Sequence, residues 1–265
     1  MAQRILIGIL VVLFALIGVS KFRSRQTGAG VISSVTVTTD SSGSTTTSSH
    51  QPVGLLPGVD AAAAGAPTID MMARLSIRRR LEREGNRVYL DSLLAETDSV
   101  LTRWADRPER TFTVYFAVDT TIAGYTDAAL DDARAGMRTW SGNEAGLILN
   151  ETRDSTAADI RVEWLPTLPD STELGSTKVS WNPGGAIEHA TITLAIGQRP
   201  QPTVLPAALR RRVAAHEFGH AIGLPHSGSD DDLMFSTSPV NAPSRRDNAT
   251  LLLLYAVPPG SLHVQ

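Results

Sequence analysis

The stretch His216-Glu-Phe-Gly-His-Ala-Ile-Gly-Leu-Pro-His226 decides how the rest of the chain is read. On an α-helix, residues four apart lie about 40° apart around the axis and one turn along it. His216 and His220 therefore project side by side and can reach one ion, which for zinc needs imidazole nitrogens at about 2.0–2.1 Å. Glu217 lies about 100° round from His216. That puts it beside the metal rather than on it, where a carboxylate can take a proton from a bound water. A continuous helix would carry His226 onto the wrong face. Gly223 removes the difficulty, because glycine readily takes positive φ and ends a helix. Pro225 then stiffens the return of His226. Three neutral imidazoles leave a fourth position for water, whose pKa such a site lowers to about 7. Ala214, Phe218, Ala221 and Ile222 make an apolar stripe on the far side of the same helix, so that side is expected to be buried and the other open.

Outward from the motif, Pro206 suits a first helical turn, and the motif helix is expected to run from there to about Gly223. Arg245 to Tyr255 reads as a closing helix. Upstream, Thr111 to Val118 alternates and is rich in β-formers, and Leu147 to Thr152 and Asp159 to Leu165 read as further strands. Thr126 to Ser141 reads as a helix with Ala129, Leu130, Ala133, Met137 and Trp140 on one face. Lys178 to Trp181 and Ile187 to Ile196 read as a hairpin joined through Asn182-Pro-Gly-Gly185. Strands separated by helices, followed by a hairpin, imply an α/β sandwich with a mixed sheet.

The first hundred residues differ in character. Residues 69–104 show apolar positions at helical spacing (Met72, Leu75, Leu81, Val88, Leu93, Leu94, Val100, Leu101), with a break at Gly85-Asn86. Arg74, Arg78, Arg79, Arg80, Arg83 and Arg87 form a basic side, read as a solvated face or as a contact for anionic headgroups or an acidic partner. From Ser33 to Ser49, thirteen of seventeen residues are Ser or Thr, and the expectation is a flexible tether. Ile5 to Val19 is unbroken apolar sequence. As helix it spans about 22 Å, against a hydrocarbon core of about 30 Å. It reads as an uncleaved membrane anchor or as a signal peptide cut after small residues such as Gly18 and Ser20. Lys21, Arg23 and Arg25 directly after it favour the anchor, although positive charge there argues for a cytoplasmic side.

The chain has 265 residues, a formal charge of −3 and 42% hydrophobic residues, enough for one sizeable core. The near-neutral charge gives no reason to expect nucleic acid as a partner, and a monomer is expected. The complete lack of cysteine excludes disulfides, a thiolate metal site and a cysteine nucleophile.

The run HEFGHAIGLPHS resembles the metzincin zinc metalloproteases, and among them the matrixin-like bacterial type. Asp230-Asp-Asp-Leu-Met234 looks like their methionine turn, with Met234 packing below the imidazoles. Ser244-Arg-Arg-Asp247 with Leu254-Tyr255 is similar to their closing helix, in which Asp247 would be a supporting carboxylate under that turn. The resemblance covers about residues 108 to 262. It implies a twisted five-stranded mixed sheet with an antiparallel edge strand, an active-site helix and a C-terminal helix. It also implies one catalytic Zn2+ on His216, His220 and His226, with Glu217 as general base and Gly223 as the turning point. A peptide substrate would add as a strand near Thr177 to Trp181, and Ser236 to Val240 would line the primed-side pocket. Animal matrixins use a propeptide cysteine for latency, which this chain cannot. Helices within 69–104 are an alternative cover for the cleft. Ca2+ is considered at Asp230, Asp231 and Asp232, where a solvated acidic turn is the plainer reading; His189 reads as a surface histidine.

The resulting expectation is a membrane anchor or signal in residues 1–20, a linker over 21–68, a helical accessory segment over 69–106 and a catalytic domain over 107–262. The activity expected is endoproteolysis of protein or peptide substrates outside the cytoplasm, by a chain anchored through its N-terminal helix or secreted after cleavage. Two other classes fit the motif less well: an inactive zinc-stabilised binding module on a membrane stalk, which Glu217 argues against, and a zinc aminopeptidase or other zinc hydrolase, which His226 disfavours.

Overall fold

The computed structural model describes residues 35–40, 45–49, 69–85, 87–169, 173–198 and 203–262, with backbone alone for 35–40, 45–49 and 69–70. The elements in chain order begin with β1 (Val35–Asp40), β2 (Thr45–Ser49), α1 (Ile69–Glu84), α2 (Leu90–Glu96), β3 (Val100–Leu101), β4 (Arg103–Trp104) and β5 (Thr111–Phe116). They continue with α3 (Asp127–Arg138), β6 (Ile148–Glu151), β7 (Ile160–Leu165), β8 (Gly175–Trp181) and β9 (Ala186–Ala195). The last are β10 (Gly197–Gln198), β11 (Thr203–Val204), α4 (Ala207–Ala221), α5 (Arg245–Ala256) and β12 (Gly260–Ser261).

Five strands in the order β6-β5-β7-β9-β8 make the mixed sheet expected from the sequence. All neighbours are parallel except β8, which returns antiparallel along β9 through the Asn182 turn. Alternation sets the sheet's inner face. Phe112, Val114 and Phe116 of β5, Ile160, Val162 and Trp164 of β7, and Ala190, Ile192 and Leu194 of β9 are all buried, as a strand period of two requires.

Helices α3 and α4 cover that face, and they pack closely because Gly136 has no side chain. A Cβ there would lie 2.6 Å from Ala214 Cβ. Thr126 caps α3 by accepting from the amide of Ala129 at 3.3 Å. Asp132 on α3 accepts from Arg210 and Arg211 on α4 at 2.5 and 2.6 Å, and the Trp140 indole donates to Ala215 O at 2.8 Å. Helix α4 is thereby fixed against α3 and the turn after it.

Three strands extend the sheet beyond expectation. β4 lies parallel to β9. On the other side of the sheet, β1 pairs antiparallel with β8, and β2 with β1. The stretches 35–40 and 45–49, expected to be tether, are therefore strands. A Ser/Thr-rich segment cannot build a core of its own, but its β-branched residues suit an edge that another strand already offers.

The helix expected to continue to Trp104 also ends early, at Glu96. Asp98 and Ser99 both have positive φ, which breaks the helix. The chain beyond enters β3, paired with β12, and β4. Val88, Tyr89, Leu90, Leu93, Leu101 and Trp104 join the same hydrophobic core as the sheet and α4, whereas Met72 on α1 is exposed. Among the described residues no helix is long and apolar enough to cross a membrane; the apolar run 5–19 and the anchor expected there lie outside the described residues.

Candidate metal centre and active site

Ala214 through Ala221 on α4 are all buried, so the helix is covered on both sides and not only along its apolar stripe. At its end Gly223 has φ +99°, a left-handed conformation that a side chain disfavours. Gly223 N donates to His220 O at 2.9 Å and Leu224 N to Gly219 O at 3.0 Å. These bonds close the helix and turn the chain back toward His226.

The three imidazoles converge. His216 Nε2 lies 3.1 Å from His220 Nε2 and 3.3 Å from His226 Nε2. His216 Nδ1 donates to Leu233 O and His220 Nδ1 to Leu224 O, each at 2.8 Å. A carbonyl oxygen can only accept, so each Nδ1 holds the proton and each Nε2 presents a lone pair. Burial, opposed by the Leu233 carbonyl, holds His216 below the ordinary histidine pKa. Burial, reinforced by the neighbouring imidazoles His226 and His216, pushes His220 well below it. Neutral imidazoles with lone pairs facing one another at this separation repel unless a cation lies between them. A tetrahedral ion with ~2.0–2.1 Å bonds to nitrogen needs donors about this far apart. The donor set therefore fits a metal ion, and among the described residues it is the one cluster of three metal-capable side chains.

Glu217 is fully buried beside the histidines, under β8. Thr177 Oγ1 donates to Glu217 Oε2 at 2.7 Å and also reaches Glu217 O at 3.1 Å. At Gly175 a Cβ would stand 2.6 Å from Glu217 Oε1, so the strand can pass over the carboxylate only because that position is glycine. From the sequence, Thr177 is expected at the peptide-binding edge and not as a partner of Glu217, and Gly175 does not stand out. A glycine inside a strand is the one available signal, since it often marks close approach.

Met234 is fully buried, and a Cβ on Gly219 would overlap its sulfur, so the turn packs directly against α4 between the two helical histidines. Asp247 carries the turn: its Oδ2 accepts from Leu233 N at 2.8 Å and from Ser244 N at 2.7 Å. Of the acidic run considered for Ca2+, Asp230 and Asp231 are exposed. Asp232 turns inward and accepts from the hydroxyls of Ser227 and Ser244. The three do not form a cation cluster, because the middle of the turn needs Asp232 as an internal acceptor. His189 lies on β9, 3.3 Å from the Thr191 hydroxyl and away from the centre.

A cavity of about 210 Å³ opens beside His216 and Glu217, lined by Leu174, Leu209, Arg212, Val213 and residues 236–238. Arg212 donates to Pro239 O at 3.1 Å.

A mixed sheet whose antiparallel strand overhangs a two-histidine helix, with a third histidine brought back by a glycine turn and a methionine beneath, is consistent with the metzincin fold. Residues 207–251, from α4 through the methionine turn into α5, match the family model described as Matrixin, and the histidine triad within that segment is consistent with a metzincin. The match and the three-histidine group together point to a zinc metalloprotease. No curated protein matches the chain.

Proposed function

We propose that the protein is a zinc-dependent endopeptidase. The observation that carries the reading is the convergence of His216, His220 and His226 through Nε2 beside the buried Glu217. When bound, zinc supplies a Lewis acid at the scissile carbonyl and acidifies the attacking water. The three histidines would hold it, with Nδ1 of His216 and His220 anchored on Leu233 and Leu224. Glu217 takes the proton from the water and passes it to the departing amine, while Thr177 fixes the plane of its carboxylate from Oε2.

An extended peptide lies along β8, whose backbone passes over Glu217. The cavity behind His216 takes the side chain after the scissile bond, with Leu174, Leu209 and Val213 as its apolar walls and Arg212 among its lining residues. An apolar or acidic side chain suits that lining. The outer edge of β8 carries β1, so a peptide adding there takes the place of residues 35–40. The reading extends to action outside the cytoplasm with the N-terminus at the membrane, supported by the apolar run Ile5 to Val19 and tested by fractionation of cells expressing the chain.

The decisive test is metal analysis of the purified chain together with digestion of a peptide library, with and without a chelator. Zinc near one equivalent and chelator-sensitive internal cleavage are expected. Glu217→Ala should keep zinc and lose about 10²–10⁴-fold in kcat. Full activity in that variant would sink the assignment.

A further inference from the structure

Tyr89 precedes α2 and lies far outside the segment that matches matrixin. Its hydroxyl donates to Asp247 Oδ1 at 2.5 Å, across 158 residues of sequence. The other oxygen of that carboxylate holds the amide of Leu233, and the carbonyl of Leu233 holds Nδ1 of His216. Hydrogen bonds joined through the backbone of Leu233 thus link Tyr89 by way of Asp247 to a metal-capable imidazole.

We infer that Tyr89 is a positioning residue of the metal centre, setting the orientation of His216 through Asp247 and the methionine turn. The inference rests on the zinc reading of the site. Tyr89 is only 5% exposed and Asp247 is fully buried, so water cannot readily replace the phenol. Tyr89 is itself held from several sides. Its amide donates to Thr250 Oγ1 at 3.3 Å, and the Arg246 guanidinium lies 5.4 Å over its ring. Burial, then the charge of Asp247 and the bond to it, keep the phenol pKa well above its ordinary value; the group remains a donor throughout the working pH range. Without the hydroxyl, Oδ1 faces an apolar ring inside the core. The carboxylate must then rotate to satisfy that oxygen, and the rotation moves the Leu233 backbone on which His216 rests. Partners that orient a ligand imidazole through its second nitrogen typically matter 10–100-fold in metal affinity or activity.

The test uses the full chain with Tyr89→Phe, which keeps the ring and removes the hydroxyl. Zinc affinity is read by competition with a chromophoric chelator, ligand geometry by the visible spectrum of the cobalt-substituted protein, and kcat and KM on a peptide that the wild type cleaves. Zinc affinity should fall about 10-fold or more. The cobalt bands should shift, kcat should fall with KM within twofold, and far-UV circular dichroism should not change. A folded variant with wild-type zinc affinity and cobalt spectrum overturns the inference. Asp247→Asn covers the case in which phenylalanine blocks folding. It keeps the carboxylate's shape and weakens the acceptor, and it must shift the cobalt bands; an unchanged spectrum there also overturns the inference. A wild-type chain that binds no zinc would instead defeat the reading of the site itself.

Discussion

The Thr177 hydroxyl on β8 donates to the Glu217 carboxylate on α4 at 2.7 Å, so the strand that would seat a peptide also holds the carboxylate that would act on it. Thr177→Val keeps the shape and removes the donor. A hydrogen bond to a charged group is worth about 1.5–3 kcal/mol, so kcat should drop roughly 10- to 100-fold while zinc content stays at wild-type level. A kcat within twofold of wild type would mean that the bond does not orient the base.

The expected boundary near residue 107 makes a second test. Trp104 is fully buried and its indole donates to Ala221 O, at the end of the active-site helix, at 2.8 Å. Leu90, Leu93 and Leu101 are in the same core. Losing one large buried side chain costs about 2–5 kcal/mol, and a whole domain has about 5–15 kcal/mol to lose. A chain starting at 107 should therefore fail to fold, and one starting at 69 should melt cooperatively and hold zinc. Thermal melts of the two, followed by circular dichroism, decide it. A cooperative melt from the shorter chain would show that residues 88–104 are dispensable.

What could be read in the sequence follows from distance along the chain. His216, Glu217, His220, Gly223 and His226 fall within eleven residues; helical geometry relates the first three, and the glycine turn accounts for the return of His226. The alternation in Thr111 to Phe116 and the turn at Asn182 likewise report local periods, and they lead directly to the mixed sheet with its antiparallel strand. Thr177 and Tyr89 act on partners 40 and 158 residues away, and no local pattern encodes such pairs. Asp232 was hidden for another reason: three successive aspartates look equally solvated until the fold turns one of them inward. The strands within the Ser/Thr-rich stretch escaped because composition reports whether a segment can make its own core, not whether it can borrow an edge.

Glu96 gives a pH-dependent prediction. Burial at the end of α2, in a hollow shared with Val179 and Trp181 of β8, raises its pKa from 4.5 to about 7. The unfolded chain releases this proton near 4.5 and the folded chain only near 7. The stability this group contributes is thus fully present below 4.5, declines as pH rises between those values and is gone above about 7. Glu96→Gln cannot ionise. Its melting temperature should match wild type near pH 4 and exceed it by a few degrees at pH 8. Parallel melts of both proteins from pH 4 to 8 make the comparison, and a constant difference across that range would rule out ionisation of Glu96 as the cause.

Residues 35–40 take the outer edge of β8 in antiparallel register, with Thr39 opposite Thr177 and Asp40 opposite Ser176. Each such pairing uses backbone donors and acceptors of β8, and a strand has only one set of these on each edge. The other edge is held by β9. A peptide that binds as a strand over Glu217 must therefore displace residues 35–40 first, and its intrinsic affinity is reduced by the fraction of molecules with β1 detached. Deleting residues 33–49 removes the competitor without touching α4 or its histidines. For a peptide long enough to lie along β8, KM should fall severalfold with kcat nearly constant. A dipeptide-length substrate, too short to need that edge, should show no change. An equal KM for the long peptide in the deleted and full chains would mean that substrates reach Glu217 by a route other than the β8 edge.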